Sequence, residues 1–218
     1  MTRIGILGGT LDPVHCGHLA AAVAARDAFQ LSAVLVLPSR IPPHRAVQPH
    51  ASPFHRFAMA SLAVSGVPNL FASDDELRQD GPSYTADTLG RQHARGQTPS
   101  QIFFITGADA FADIATWKRY PEVLDLANFV VVSRPGHRID ALRSRLPALA
   151  DRMRPAADAP PASATPLIFL LQAPTPEVSS TIVRDRLRLG QPITGLVPPL
   201  VETHILQHRL YSADQLHG

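Results

Sequence analysis

The chain has 218 residues, 45% hydrophobic and 17% charged, with a formal net charge of +2 from 20 Lys and Arg against 18 Asp and Glu. That length suits one buried α/β core better than two, so residues 1–218 are expected to form a single domain. So weak a charge, without a basic stripe interleaved with aromatics, argues against a nucleic-acid partner. No apolar run approaches the ~18 residues of a membrane span, and Met1 leads almost directly into the strand-like Ile4 to Leu7 rather than a secretory leader. A cytoplasmic protein with no membrane partner is the expectation, and the single cysteine, Cys16, which cannot form an internal disulfide, agrees with it. Almost all the basic residues are arginine, the better fork for phosphate oxygens, although coding bias explains the same preference.

Short apolar runs alternate with amphipathic stretches, as in βα units around a parallel sheet. Strands are expected near Arg3 to Gly8, Ala33 to Leu37, Leu70 to Ala72, Gln101 to Thr106, Phe129 to Ser133 and Leu167 to Leu170. Helices are expected over Gly17 to Phe29, over Ser52 to Ser65 behind a Ser52-Pro53 cap, over Tyr84 to Arg95, and briefly over Glu122 to Leu126. Arg134-Pro135-Gly136 reads as a turn, and the Pro- and Ala-dominated 155–166 as a loose surface loop within the domain. Two further helices follow, Thr181 to Leu189 stopped by Gly190, and Pro199 to Tyr211.

The first strand runs directly into Gly8-Gly9-Thr10-Leu11-Asp12-Pro13-Val14-His15-Cys16-Gly17-His18. Ligands of parallel sheets collect at the carboxyl ends of strands. Paired glycines let a bulky anion approach backbone N-H groups, Thr10 adds a hydroxyl, and Gly17 permits a close passage into a helix whose positive end attracts phosphate. His15 and His18, three apart, can converge on one spot. Phosphate binding with transition-state stabilisation is the favoured reading. A metal held with Asp12 and a purely local structural role are the alternatives. The spacing of Gly5, Gly8 and Gly9 is not G-x-G-x-x-G, and no Gly-Lys-Ser/Thr ends the loop, so a dehydrogenase or P-loop ATPase is disfavoured. Near the other end, Ser179, Ser180 and Thr181 open a helix, with Arg184 one turn on, and together suit a pyrophosphate. A capped surface helix with Arg184, Arg186 and Arg188 on its wet face is the competing reading.

These segments resemble the nicotinate-nucleotide adenylyltransferase family of the nucleotidylyltransferase superfamily. GGTLDPVHCGHL (Gly8 to Leu19) is similar to that family's GGTFDPVHxGHL, with Leu11 in place of phenylalanine, and VSSTIVR (Val178 to Arg184) to its ISSTxIR. PPHR (Pro42 to Arg45), PSYTADTL (Pro82 to Leu89), GAD (Gly107 to Asp109), TW (Thr116 to Trp117) and SRPG (Ser133 to Gly136) follow in family order. The resemblance implies a Rossmann-like, doubly wound parallel sheet with C-terminal helices, and transfer of AMP from ATP to nicotinate mononucleotide with release of pyrophosphate. It further implies that His15, His18 and Arg184 act on the reacting phosphates, and that Gly8, Gly9, Thr10, Gly17, Gly107, Asp109, Ser179, Ser180 and Thr181 help bind ATP. His44, Arg45, Thr85, Trp117, Lys118 and Arg134 fall to the mononucleotide, with Trp117 stacking on the pyridine ring.

The attacking phosphate is already anionic near neutral pH, with a second pKa of about 6, so no side-chain base is needed. Alignment and charge neutralisation remain to be supplied. Magnesium is expected to ride on the ATP phosphates, with no metal cage of protein ligands. Trp117 has a packing alternative. Lys118 either meets the nicotinate carboxylate or points to solvent, and His44 is either a ligand or a surface residue. His55 reads as a surface histidine, and Asp74-Asp75-Glu76 as a solvated loop. Another superfamily member using pantetheine phosphate or a cytidylyl donor, and a nonenzymatic nucleotide-binding module, are the competing functions.

Overall fold

The computed structural model describes residues 2–43, 48–133, 139–158 and 165–212. Its strands are β1 (Ile4–Gly9), β2 (Ala33–Pro38), β3 (Leu70–Ala72), β4 (Ile102–Gly107), β5 (Asn128–Val132), β6 (Met153–Pro155) and β7 (Ile168–Leu171). They form one parallel sheet in the order β3-β2-β1-β4-β5-β7-β6. The helices are α1 (Cys16–Phe29), α2 (Pro53–Val64), α3 (Thr85–Ala94), α4 (Ala108–Phe111), α5 (Leu142–Arg145), α6 (Ser180–Arg188) and α7 (Pro199–Gln207).

Strands buried on both faces are apolar for most of their length, and β5, Asn-Phe-Val-Val-Val, has every residue buried, its one polar side chain hydrogen-bonded to backbone. Successive side chains go to opposite faces. Leu7, Phe103, Val130 and Phe169 join one core with Ala22 and Phe29 of α1, Met59 of α2 and Val201 of α7. Their neighbours Ile6, Phe104, Phe129 and Ile168 join the other, with Leu89 of α3, Phe111 of α4 and the 3-10 turn at Val123 and Leu124. The result is a doubly wound, Rossmann-like fold. Its chain leaves β1 toward β2 and β3, then returns to β4 on the other side of β1, so the crevice opens at the carboxyl ends of β1 and β4.

Several expected elements shift. Gly9 still pairs with Pro38, so the two glycines finish a strand rather than begin a loop. The first helix starts at Cys16, with His15 as its N-cap. Ser52 caps α2 as its sequence implies, its Oγ accepting from the His55 N-H at 3.2 Å. The missed strand is β6, three residues long and ending in proline, too short to leave a periodic signal. Pro155 therefore belongs to the sheet, Ala156–Asp158 form a 3-10 turn, and residues 159–164 of the expected loop lie outside those described. Buried Leu142, Leu149 and Met153 fasten the preceding segment to the core. The last helix ends at Gln207, four residues before Tyr211, and Arg209 and Tyr211 take left-handed φ of 51° and 63° as the chain doubles back.

Candidate active site

At the crevice the loop after β1 meets the start of α6. The Arg184 guanidinium donates to the Asp12 carbonyl at 2.6 Å and to Thr181 Oγ1 at 3.1 Å. Ser180 Oγ donates to the Pro13 carbonyl at 2.9 Å, and the Asp12-Pro13 peptide is cis. The N-terminus of α6, capped by Ser179 Oγ accepting from the Ile182 N-H at 3.2 Å, thus lies beside that of α1. Two positive helix ends converge on one opening.

The imidazoles of His15 and His18 lie with ring centroids 3.7 Å apart. His18 Nδ1 accepts from the His15 backbone N-H at 3.2 Å. In the neutral ring the proton then sits on Nε2, making His18 a donor into the cleft. Gly17 lies beneath this pair: a Cβ there would come 3.0 Å from His15 Nδ1 and 3.3 Å from Val178 Cγ1. A side chain at this position would crowd the imidazole, and the tightness comes from space rather than from an unusual φ. Leu11, where the motif usually carries phenylalanine, is buried with φ of 52°.

Two cavities meet at His15, His18, Asp109 and Ser179. One of about 260 Å³ runs past Gly17, Ala21, Val132, Ser133, Thr175 and Val178. The other, of about 510 Å³, is lined by Gly8, Gly9, Thr10, Ser180, Thr181, Thr85, Trp117, Lys118 and Glu76. Gly107 lines both. Arg184 lines neither: it is 7% exposed and stands behind the loop, so the wet-face reading of this arginine is wrong. His44, Arg45 and Arg134 lie outside the described residues.

Trp117 both packs and faces the cleft. Its ring sits edge-on to Phe104 at 6.0 Å and Phe129 at 6.4 Å, joining the second core. Lys118 lines the larger cavity and is paired there rather than pointing free to solvent. Its Nζ bonds both Asp87 oxygens, at 2.8 and 3.1 Å, and lies 4.6 Å above the Tyr84 ring. His55 is packed rather than fully exposed, with Nδ1 3.1 Å from His204 Nε2 and its ring against His208. It lines neither cavity.

Of the expected solvated loop, Asp74 is half-exposed and pairs with Arg78, but its two neighbours are a buried anchor. Asp75 and Glu76 are 4% and 6% exposed. Burial pushes the Asp75 carboxyl up, but hydrogen bonds from Arg91 and Arg95 reverse this and leave it below its ordinary value. Glu76 has no such pair. Burial holds its carboxyl above the ordinary value despite the Thr88 hydroxyl at 2.6 Å.

Two other charged groups are fully buried, of which Arg56 gave no sequence signal. Arg56 is 0% exposed and donates to the carbonyls of Ala51, Thr10, Ser39 and Arg40, tying the loops after β1 and β2 together. Asp12 is also 0% exposed, and its carboxylate accepts from His50, Ala51 and Tyr211. That leaves Asp12 turned away from the imidazoles, against the metal alternative. Among the described residues no group of three or more His, Cys, Asp and Glu side chains is arranged to hold a metal ion. Nor is any described helix long and apolar enough to cross a membrane.

A parallel sheet with paired imidazoles and two helix N-termini at its switch point defines a nucleotidyltransferase, and a model of the cytidylyltransferase-like family matches residues 6–186. The probable nicotinate-nucleotide adenylyltransferase of Roseiflexus sp. is 43% identical over 210 residues, covering 95% of this chain and 97% of its own. That of Pseudomonas fluorescens is 40% identical over 214 residues, covering 97% and 98%. Among solved structures, the Plasmodium falciparum nicotinic acid mononucleotide adenylyltransferase complexed with NaAD superposes with a TM-score of 0.74 at 18% identity, over 97% of this chain and 98% of that one. The chain belongs to the nicotinate-nucleotide adenylyltransferase family.

Proposed function

We propose that the protein joins the AMP moiety of ATP to nicotinate mononucleotide, giving nicotinate adenine dinucleotide and pyrophosphate by in-line attack of the mononucleotide phosphate. The observation that carries this reading is the meeting of two cavities at His15, His18, Asp109 and Ser179. The smaller, partly apolar cavity beside Gly17, Ala21 and Val178 suits adenosine. The larger one, with Thr85 and Trp117 on its far wall, suits a flat ring on a ribose phosphate. The α-phosphorus lies between them, at the imidazole pair.

An anionic phosphate attacks without a general base, so the residues act by alignment and charge neutralisation. His18 Nε2 donates to a nonbridging oxygen, where charge grows as the bond to the leaving group breaks. Ser180, Thr181 and the N-terminus of α6 hold the pyrophosphate end, with the Arg184 charge close behind. Thr10 and the N-H groups of Gly8 and Gly9 border the triphosphate. Asp109, at the junction, accepts from a ribose hydroxyl. His44, Arg45 and Arg134 are assigned to the mononucleotide on the family resemblance alone. Magnesium brought in with ATP would supply further charge neutralisation at the phosphates.

Pyrophosphate release measured with ATP and a panel of acceptors tests the reading. Nicotinate mononucleotide is expected to exceed nicotinamide mononucleotide and pantetheine phosphate in kcat/KM, and CTP to fail in place of ATP. A ratio near one between the two pyridine mononucleotides overturns the acceptor assignment.

A further inference from the structure

The C-terminal turn after α7 reaches back to the loop that carries the site. Tyr211 OH donates to Asp12 Oδ1 at 2.9 Å, and the Ala51 N-H shares that oxygen at 3.0 Å. The other oxygen, Oδ2, accepts from the His50 N-H at 2.8 Å and lies 3.3 Å from His50 Nδ1. Arg188 donates to His50 Nε2 at 3.0 Å, and since arginine only donates, His50 carries its proton on Nδ1 and donates it to Asp12. Four donors therefore converge on one carboxylate that is 0% exposed, and both of its oxygens can only accept. Burial and the neighbouring Asp12 charge hold the Tyr211 phenol far above its ordinary value, so it remains a donor at any working pH.

The peptide fixed in this way is the one on which α6 hangs. The Asp12 carbonyl receives Arg184, and the next carbonyl, of Pro13, receives Ser180. A tilt of the Asp12 side chain moves both acceptors together. Tyr211 reaches Asp12 only because the chain takes left-handed φ at Arg209 and again at Tyr211, a conformation that costs non-glycine residues energy. It also lies beyond residues 6–186, the part shared with the wider family.

We propose that Tyr211 and Asp12 are positioning residues: the Tyr211 hydroxyl, through the Asp12 carboxylate, sets the two carbonyls that anchor Arg184 and Ser180 and so hold the N-terminus of α6 at the pyrophosphate end of the cleft. The tuning falls on the ATP side of the cleft and leaves the acceptor side alone. It rests on the placing of ATP given above.

Y211F is the decisive variant, because it keeps the buried ring and removes only the donor. Its kcat is expected to fall about 10-fold, since small misplacements near reacting groups cost up to ~10²-fold. The dissociation constant of a non-hydrolysable ATP analogue, measured by calorimetry, is expected to rise by a similar factor, with acceptor KM within about 2-fold of wild type. D12N is expected to lose more, because its amide NH2 would face donors on whichever side it turned. V201A, a cavity in the same core away from Asp12, serves as the control: it lowers the melting temperature and leaves kcat and analogue affinity unchanged. Folded Y211F that behaves like V201A, or that raises only the acceptor KM, overturns the proposal. Should wild type prefer another mononucleotide while Y211F still weakens analogue binding, the acceptor assignment fails and the positioning role stands.

Discussion

The two walls of the cleft are held by different physics. Around the loops after β1 and β2 and the start of α6, buried side chains bind backbone: Arg56 and Arg184 donate to carbonyls, and Asp12 accepts from two N-H groups as well as from side chains. Around α3, side chains bind one another, in the pairs Asp75 with Arg91 and Arg95, Glu76 with Thr88, and Lys118 with Asp87. Backbone anchored by buried groups is rigid and fixes where oxygens may sit, as the proposed in-line transfer demands. A side-chain network can be altered one pair at a time, and its members titrate. Function should therefore break on the first wall, and stability and pH response on the second.

The largest effect is expected from H18A. Removing one transition-state donor should lower kcat/KM at least ~10²-fold while the fold survives; near wild-type steady-state kinetics for correctly folded protein would place the chemistry elsewhere. On the other wall, D75N strands two arginines and should cost about 1–3 kcal/mol of stability at neutral pH, read by denaturant unfolding. The sign follows from the lowered folded-state value of Asp75. Its contribution is complete above the ordinary carboxylate value and disappears as pH falls through the lower folded one, so the gap between D75N and wild type should close in acid.

Glu76 runs the other way. Its raised value means the folded state keeps the proton longer than the unfolded chain. Stability therefore declines as pH rises from the ordinary glutamate value through the folded one. E76Q should lack that decline, so its stability relative to wild type should increase with pH; parallel curves for the two proteins would contradict it. The smallest effect belongs to K118A. The lysine and its partner Asp87 are both about two-fifths exposed, at 43% and 42%. Such pairs contribute roughly 0–1 kcal/mol, so kcat/KM for nicotinate mononucleotide should change by no more than about 2-fold. A loss above ~10-fold would return Lys118 to the substrate.

Local patterning determined much of this protein. Apolar runs placed six of the seven strands to within a residue or two, because a strand covered on both faces is apolar for most of its length. Glycine, histidine and hydroxyl residues marked the two segments that the fold brings to one cleft, because an anion needs bare backbone and donors, and helix starts supply both. Tertiary structure alone decided what the buried charges do. Asp75 and Glu76 look like solvent residues until α3 brings Arg91, Arg95 and Thr88 against them. Arg56 is one arginine among many until four carbonyls close around it, and the competing wet-face reading of Arg184 falls only when the Asp12 carbonyl receives it. Tyr211 and Asp12 are 199 positions apart and meet only because the chain turns back after α7. A charge or hydroxyl leaves no periodic trace of its partner, and whether burying it is tolerable depends on distant groups that only the completed fold brings into reach.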